Sequence, residues 1–151
     1  MVVGIRDEEA LLAAVARMDS RALSVERMED LASGFELLIG ARRDARFGPV
    51  VLAGAGGLHT ETLADTAVAL APVSEAQAEQ LLRSLRCAPL LLGTRGRPPL
   101  DLAAAAKALA ALSRFAAERP EVAEVEVNPL LVEVSGAIGL DARIVLEGDA
   151  G

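Results

Sequence analysis

The run Glu124-Val125-Glu126-Val127-Asn128-Pro129-Leu130, followed by Gly139-Leu140-Asp141-Ala142-Arg143, limits what this chain can fold into more than any other stretch. Acidic and β-branched residues alternate with period 2. A strand here therefore puts Glu124, Glu126 and Asn128 on one face and Val125 and Val127 on the other. Ser135-Gly136 supplies a turn signal, and Ala137 to Leu146 reads as the returning strand. A hairpin closed around Ser135 and Gly136 sets Asp141 opposite Leu130 on the polar face. Asp141 is then a diagonal neighbour of Asn128, roughly 7 Å away between Cα atoms, so both side chains reach one ion. Two carboxylates and an amide oxygen are hard donors of the kind Mg²⁺ takes, with water and phosphate filling its remaining positions. The same alternation also describes a plain solvated hairpin edge, because polar-out patterning is the default for an antiparallel strand.

Composition narrows the classes of partner. The chain has 151 residues, enough for a real core, and reads as a single domain over 1–151. A formal charge of -7 with no Lys/Arg stripe argues against nucleic acid, as does the absence of Trp and Tyr for base stacking. Apolar runs such as Ala103 to Leu112 are short and interrupted by Lys107, the only lysine, so no membrane span is expected. No signal peptide is recognised at the N-terminus. One cysteine, Cys87, excludes an internal disulfide framework and suits a reducing cytoplasm, with the thiol read as a small buried hydrophobe.

Punctuation orders the elements. Asp7 as N-cap, acidic Glu8 and Glu9, and Leu11, Leu12, Val15 and Met18 at helical spacing predict a helix over Glu8 to Met18. Strands are predicted at Leu23 to Met28, Phe35 to Arg42, Pro49 to Ala53 and Thr66 to Ala71. Ser74 and Gln77 form a capping-box pattern ahead of Ala78, Leu81, Leu82 and Leu85. A longer helix runs from Asp101 to Glu118, with Pro120 forbidding continuation. Interleaved hairpins and helices indicate an α+β fold, a largely antiparallel sheet with helices packed on one face.

Several segments, in order, resemble one family. Glu126-Val127-Asn128-Pro129-Leu130 with Leu140-Asp141-Ala142-Arg143-Ile144 is similar to the magnesium motif closing the ATP-grasp domain of ADP-forming acyl-CoA synthetases, which include acetate-CoA ligases and succinyl-CoA synthetase β subunits. Phe35 to Gly40 with Arg43 to Val51 resembles the family's central hairpin. Gly54-Ala55-Gly56-Gly57 with Glu61 and Asp65 resembles its glycine loop, and Leu92-Gly93-Thr94-Arg95-Gly96 its later Leu-x-Gly-x-Arg-Gly segment. The resemblance implies the C-terminal lobe of an ATP-grasp fold. It further implies that the phosphate-contacting lysine and another glycine-rich segment belong to an N-terminal portion, leaving this an incomplete site. Val2-Val3-Gly4-Ile5 resembles the strand that follows that portion.

On this reading Asn128 and Asp141 hold Mg²⁺. Glu126 acts catalytically, as a further ligand or by orienting a phosphohistidine that arrives from a CoA-binding domain or subunit. ATP or ADP is the nucleotide. Gly56 and Gly57 are candidates for backbone contacts to phosphate, with a tight turn as the structural alternative. Arg95 is a candidate phosphate fork, with turn capping as its alternative. His59, the only histidine, reads as a packing residue, because the resemblance puts the phosphorylated histidine in the CoA-binding part. Asp44 reads as a hairpin turn residue, and Arg42 and Arg43 as a solvated pair. A non-catalytic, degenerate ATP-grasp module with a regulatory or assembly role, as in acetyltransferase fusions, is the alternative function.

Overall fold

Phe35–Asp44 (β1) and Gly48–Ala55 (β2) form an antiparallel hairpin because Asp44 closes its turn, accepting from the Arg46 and Phe47 amides at 2.8 and 3.0 Å. These interactions hold the exposed Asp44 carboxyl below its ordinary pKa, the Arg46 amide first and the Phe47 amide next. The computed structural model describes residues 1–19, 22–57, 65–94 and 96–148, and the predicted roles of His59, Glu61 and Arg95 lie outside them.

The chain, read above as one domain, divides into two compact units, 1–30 and 31–151. In the first, the Asp7 carboxylate accepts from the Ala10 amide at 2.8 Å and starts helix α1, Glu8–Ala16, one turn's half shorter than the predicted end at Met18. The expected strand at Leu23 to Met28 is not formed. Its β-branched pattern was a local signal, and a strand exists only by pairing its backbone with a neighbour.

The second unit carries a six-stranded antiparallel sheet. Thr66–Leu70 (β3) pairs with β2, and Val122–Glu133 (β4) pairs with β1. Gly136–Gly139 (β5) and Ala142–Leu146 (β6) run back in succession along the other side of β4. Among the described residues three α-helices accompany the sheet: Glu75–Arg83 (α2), the unpredicted short Ala88–Leu91 (α3) and Leu102–Glu118 (α4).

One face of the sheet is covered. Leu37, Ile39 and Ala41 of β1, Val51, Ala53 and Ala55 of β2 and Val125 of β4 are buried with Ala105, Ala106, Leu109, Leu112 and Ala116 of α4 and Ala78 and Leu82 of α2 in one core. Small alanines on α4 let the helix lie close to the strands. Among the described residues the opposite face is open at β3, with Val68 and Leu70 64% and 60% exposed. This is the predicted α+β arrangement, an antiparallel sheet with helices on one face.

Caps fix the helices to the sheet. Ser74 and Gln77 make both halves of the capping box. Ser74→Ala, which removes the acceptor for the Gln77 amide, is expected to cost about 1 kcal/mol in urea unfolding; an unchanged midpoint would contradict that role. At the far end of α4 the sequence expectation is corrected. Arg43 is not a solvated residue: its guanidinium donates to the carbonyls of Ala116 at 2.8 Å and Arg119 at 3.1 Å, the last turn of α4. A cation there meets the negative end of the helix dipole and orphaned carbonyls at once.

Candidate metal centre

The hairpin of β4 with β5 and β6 is tighter than the sequence alone suggests. Glu133 pairs with Gly136, so Val134-Ser135 form the loop, Leu130 pairs with Gly139, and Val127 pairs with Ala142. Asp141 therefore stands directly across from Asn128, where the Asn128 amide donates to the Asp141 carbonyl at 3.1 Å, and not across from Leu130 as expected. The two-residue slip preserves parity, so the predicted face survives while the two side chains come closer than a diagonal pair.

β4 also carries a defect at this point. Leu37 pairs with Leu130 and Ile39 with Val127, so Leu38 of β1 faces both Asn128 and Pro129. Pro129 has no N–H to give to the ladder, and a bulge is where a strand tolerates proline. The second strand breaks at the same level, between Gly139 and Ala142. Asn128 and Asp141 thus sit where β4 bulges and the return strand is interrupted, so side chains can be re-aimed.

Ile39 and Ala41 on the covered face pair with Val127 and Val125, which places Glu124 and Glu126 on the open face. Glu126 pairs across with Arg143, and the Arg143 guanidinium reaches the Glu124 carboxylate at 3.4 Å. Alternation continues the open-face row through Asn128 and across to Asp141. Asn128 and Glu126 are half-buried and Asp141 is exposed. Among the described residues no three His, Cys, Asp or Glu side chains converge as a metal cluster. The donor set is instead one amide and one or two carboxylates. That is too few for a protein-only Ca²⁺ or Zn²⁺ site and fits Mg²⁺, which keeps several positions for water and phosphate.

The two glycines have a packing reason of their own. The Gly56 amide donates to the Glu36 carbonyl at 2.9 Å, and a Cβ on Gly56 would lie 2.6 Å from the Leu37 carbonyl carbon. Gly57 has φ +62, and its missing Cβ leaves room for the Glu36 carboxylate. The segment crosses the start of β1 at backbone contact distance, a packing role that neither the phosphate-contact nor the tight-turn reading included. The Gly56 amide is spent on that crossing, so it does not point at a phosphate.

Asp65 is the residue whose importance the sequence concealed. It is buried, and its two carboxylate oxygens accept from the Arg86 amide at 2.9 Å and the Cys87 amide at 2.7 Å, with the Arg86 guanidinium at 3.8 Å. Burial pushes its pKa up, but the amides, the Cys87 thiol and Arg86 together hold it below the ordinary carboxylate value. The Cys87 thiol goes the other way, pushed up to about 12 by burial and by Asp65, so it is no thiolate at neutral pH. Asp65 fastens the start of β3 to the turn between α2 and α3. Its partners lie 21 and 22 residues on, beyond any local pattern.

This fold is that of an ATP-grasp lobe. A family model described as an ATP-grasp domain matches residues 1–146, and the chain belongs to that family, in the branch of the ADP-forming acyl-CoA synthetases. It is 35% identical over 116 residues to the β subunit of ADP-forming acetate-CoA ligase I from Pyrococcus furiosus, covering 77% of this chain and 50% of that subunit. It is 31% identical over 135 residues to the β subunit of acetate-CoA ligase II from the same organism, covering 87% of this chain and 57% of the relative. The chain therefore spans about half the length of these relatives.

Among solved structures, the dinucleotide-forming acetyl-coenzyme A synthetase 1 of Candidatus Korarchaeum cryptofilum, in complex with coenzyme A and Mg-AMPPCP, superposes with a TM-score of 0.72 at 39% identity. That match covers 76% of this chain and 54% of the other. Its apo form gives a TM-score of 0.82 at 33% identity, covering 96% and 70%.

Proposed function

We propose that this chain supplies the magnesium side of a nucleotide site in an ADP-forming acyl-CoA synthetase, which interconverts acyl-CoA, ADP and phosphate with a carboxylate, CoA and ATP. The observation that carries the reading is the direct pairing of Asn128 with Asp141 where β4 bulges and the return strand is interrupted, on the open face of the sheet. The solved relative described with coenzyme A and Mg-AMPPCP supports both the metal and the nucleotide.

Asn128 and Asp141 would hold Mg²⁺, which when bound neutralises phosphate charge during transfer. Asn128 contributes an oxygen without charge. Asp141 contributes an oxygen with charge from an exposed position that a phosphate-bound ion can reach. Glu126, next along the row, would add a ligand or orient a phosphohistidine presented by a CoA-binding domain or subunit; the solved relative's description includes such a segment pointing towards its nucleotide-binding site. The open sheet face offers no bulky side chain at Gly40 and Gly54, and it is the surface against which a nucleotide would lie. Gly57 and Arg95 are proposed as lesser phosphate contacts.

The test uses an enzyme complete with its nucleotide lobe and CoA-binding part. Asp141→Asn is expected to abolish Mg-dependent ATP formation with the fold intact, because the amide keeps the shape and loses the charge. Near-normal turnover would overturn the assignment.

A further inference from the structure

The acidic row on the open face raises a question that the metal alone does not answer. Glu124, Glu126 and Asp141 place three formal negative charges beside the position a polyphosphate must take, and Coulomb repulsion opposes that approach. Arg143 lies within the same row. It is the direct cross-strand partner of Glu126 and stands one same-face position along β6 from Asp141. Its side chain is 71% exposed, and its guanidinium is held by Glu124 at 3.4 Å.

That ion pair is a weak hold. A surface pair of this kind contributes about 0 to 1 kcal/mol, so a phosphate competes with it easily. Glu124 is also not orphaned if Arg143 leaves, because Arg42 of β1 is its direct partner on the other side. The face therefore contains a carboxylate with two cationic neighbours, one of which adjoins the metal residues.

We propose that Arg143 is a phosphate-binding residue, paired with Glu124 in the structure and able to turn to the non-bridging oxygens of a magnesium-bound polyphosphate. The proposal rests on the magnesium reading of Asn128 and Asp141. A guanidinium is suited to the task because its planar fork bonds two oxygens at once and stays charged at any physiological pH. Glu124 has the opposite role: it keeps the fork aimed across β4 while the site is vacant, at the cost of competing with the ligand.

The experiment is a titration of the full 151-residue chain with Mg²⁺ and inorganic tripolyphosphate, followed by backbone and arginine side-chain nitrogen NMR. Millimolar binding that requires Mg²⁺ is expected, with the Arg143 Nε signal moving as the ligand is added. Arg143→Met should weaken binding about tenfold, the equivalent of one charge-assisted contact. Arg143→Lys should recover part of it, and Glu124→Gln should tighten binding by releasing the fork. Wild-type affinity in Arg143→Met, or no binding by the wild-type chain at millimolar ligand, would overturn the proposal. Failure of the magnesium reading has a separate signature: Asp141→Asn would then leave the Mg²⁺ requirement untouched. If Asp141→Asn removes that requirement while Arg143→Met changes nothing, the metal site stands and the Arg143 role falls.

Discussion

Asp65→Ala should destabilise the protein by about 2–3 kcal/mol at pH 7, since it leaves the buried Cys87 amide and the part-buried Arg86 amide without their acceptor, a buried unmet group costing about 1–3 kcal/mol. Total stabilities of single domains are about 5–15 kcal/mol, so the loss is a large share and should be plain in urea unfolding. The cost falls on the junction of β3, α2 and α3, because Arg86 and Cys87 lose the carboxylate that ties that turn to the sheet. The pH dependence has a defined sign. The folded-state pKa of Asp65 is depressed, so its contribution is fully present above the unfolded carboxylate value of about 3.9 and is lost as pH falls through the lower folded value. The gap between wild type and Asp65→Ala should therefore narrow in acid below about pH 4. A gap that stays constant down to full acid denaturation would show that the carboxylate's charge is not what holds the junction.

Gly56→Ala should be comparably disruptive for a steric reason. The added methyl would meet the Leu37 carbonyl carbon at 2.6 Å and its oxygen at 2.8 Å, and both are backbone atoms inside the sheet. No rotamer relieves such a contact, so β1 or β2 must move. Overpacking of this kind costs about 1–3 kcal/mol, and a rigid sheet centre puts the change at the upper end. Gly48→Ala is the control: Gly48 also has a positive φ, +75, but nothing lies within 4 Å of its missing Cβ, so only left-handed strain of about 1 kcal/mol is expected. Equal stability losses in the two variants would refute the close-crossing account of Gly56. Because the cost arises without any ligand, the glycine at 56 is explained by folding before any phosphate is invoked.

The elements legible in the sequence were those whose signals are local. The alternation through Glu124 to Val127 gave the β4 face, and Asp7, Ser74 and Asp101 marked three helix starts, each seen as a side chain accepting from the third amide onward. Asn128 and Asp141 do lie across from one another, but their register was misplaced by two positions because the hairpin turns at Val134-Ser135 and not at Ser135-Gly136. Turn chemistry at that point has no residue demanding one loop over the other, since Gly136, with φ +149, pairs with Glu133 as the first residue of the returning strand. What escaped reading was long-range. Arg43 finds its carbonyl partners 73 and 76 residues away, and Asp65 its amides 21 and 22 away. Arg43 looked like an ordinary surface charge and Asp65 like part of the glycine-loop motif, because only the packed helices supply the groups they serve. The strand expected at Leu23 to Met28 failed for the converse reason, a favourable composition with no paired strand beside it among the described residues.

The central claim, that Asn128 and Asp141 hold a divalent ion on the open face, is tested most directly with Mn²⁺ in place of Mg²⁺. Paramagnetic broadening of backbone NMR signals maps where the ion sits. The account predicts that substoichiometric Mn²⁺ with ADP broadens residues 126–128 and 141–143 first, and that Asp141→Asn removes this pattern while the remaining spectrum, and hence the fold, is unchanged. Broadening centred on another acidic stretch, such as Glu8 and Glu9, with residues 126–128 and 141–143 left sharp, would contradict it.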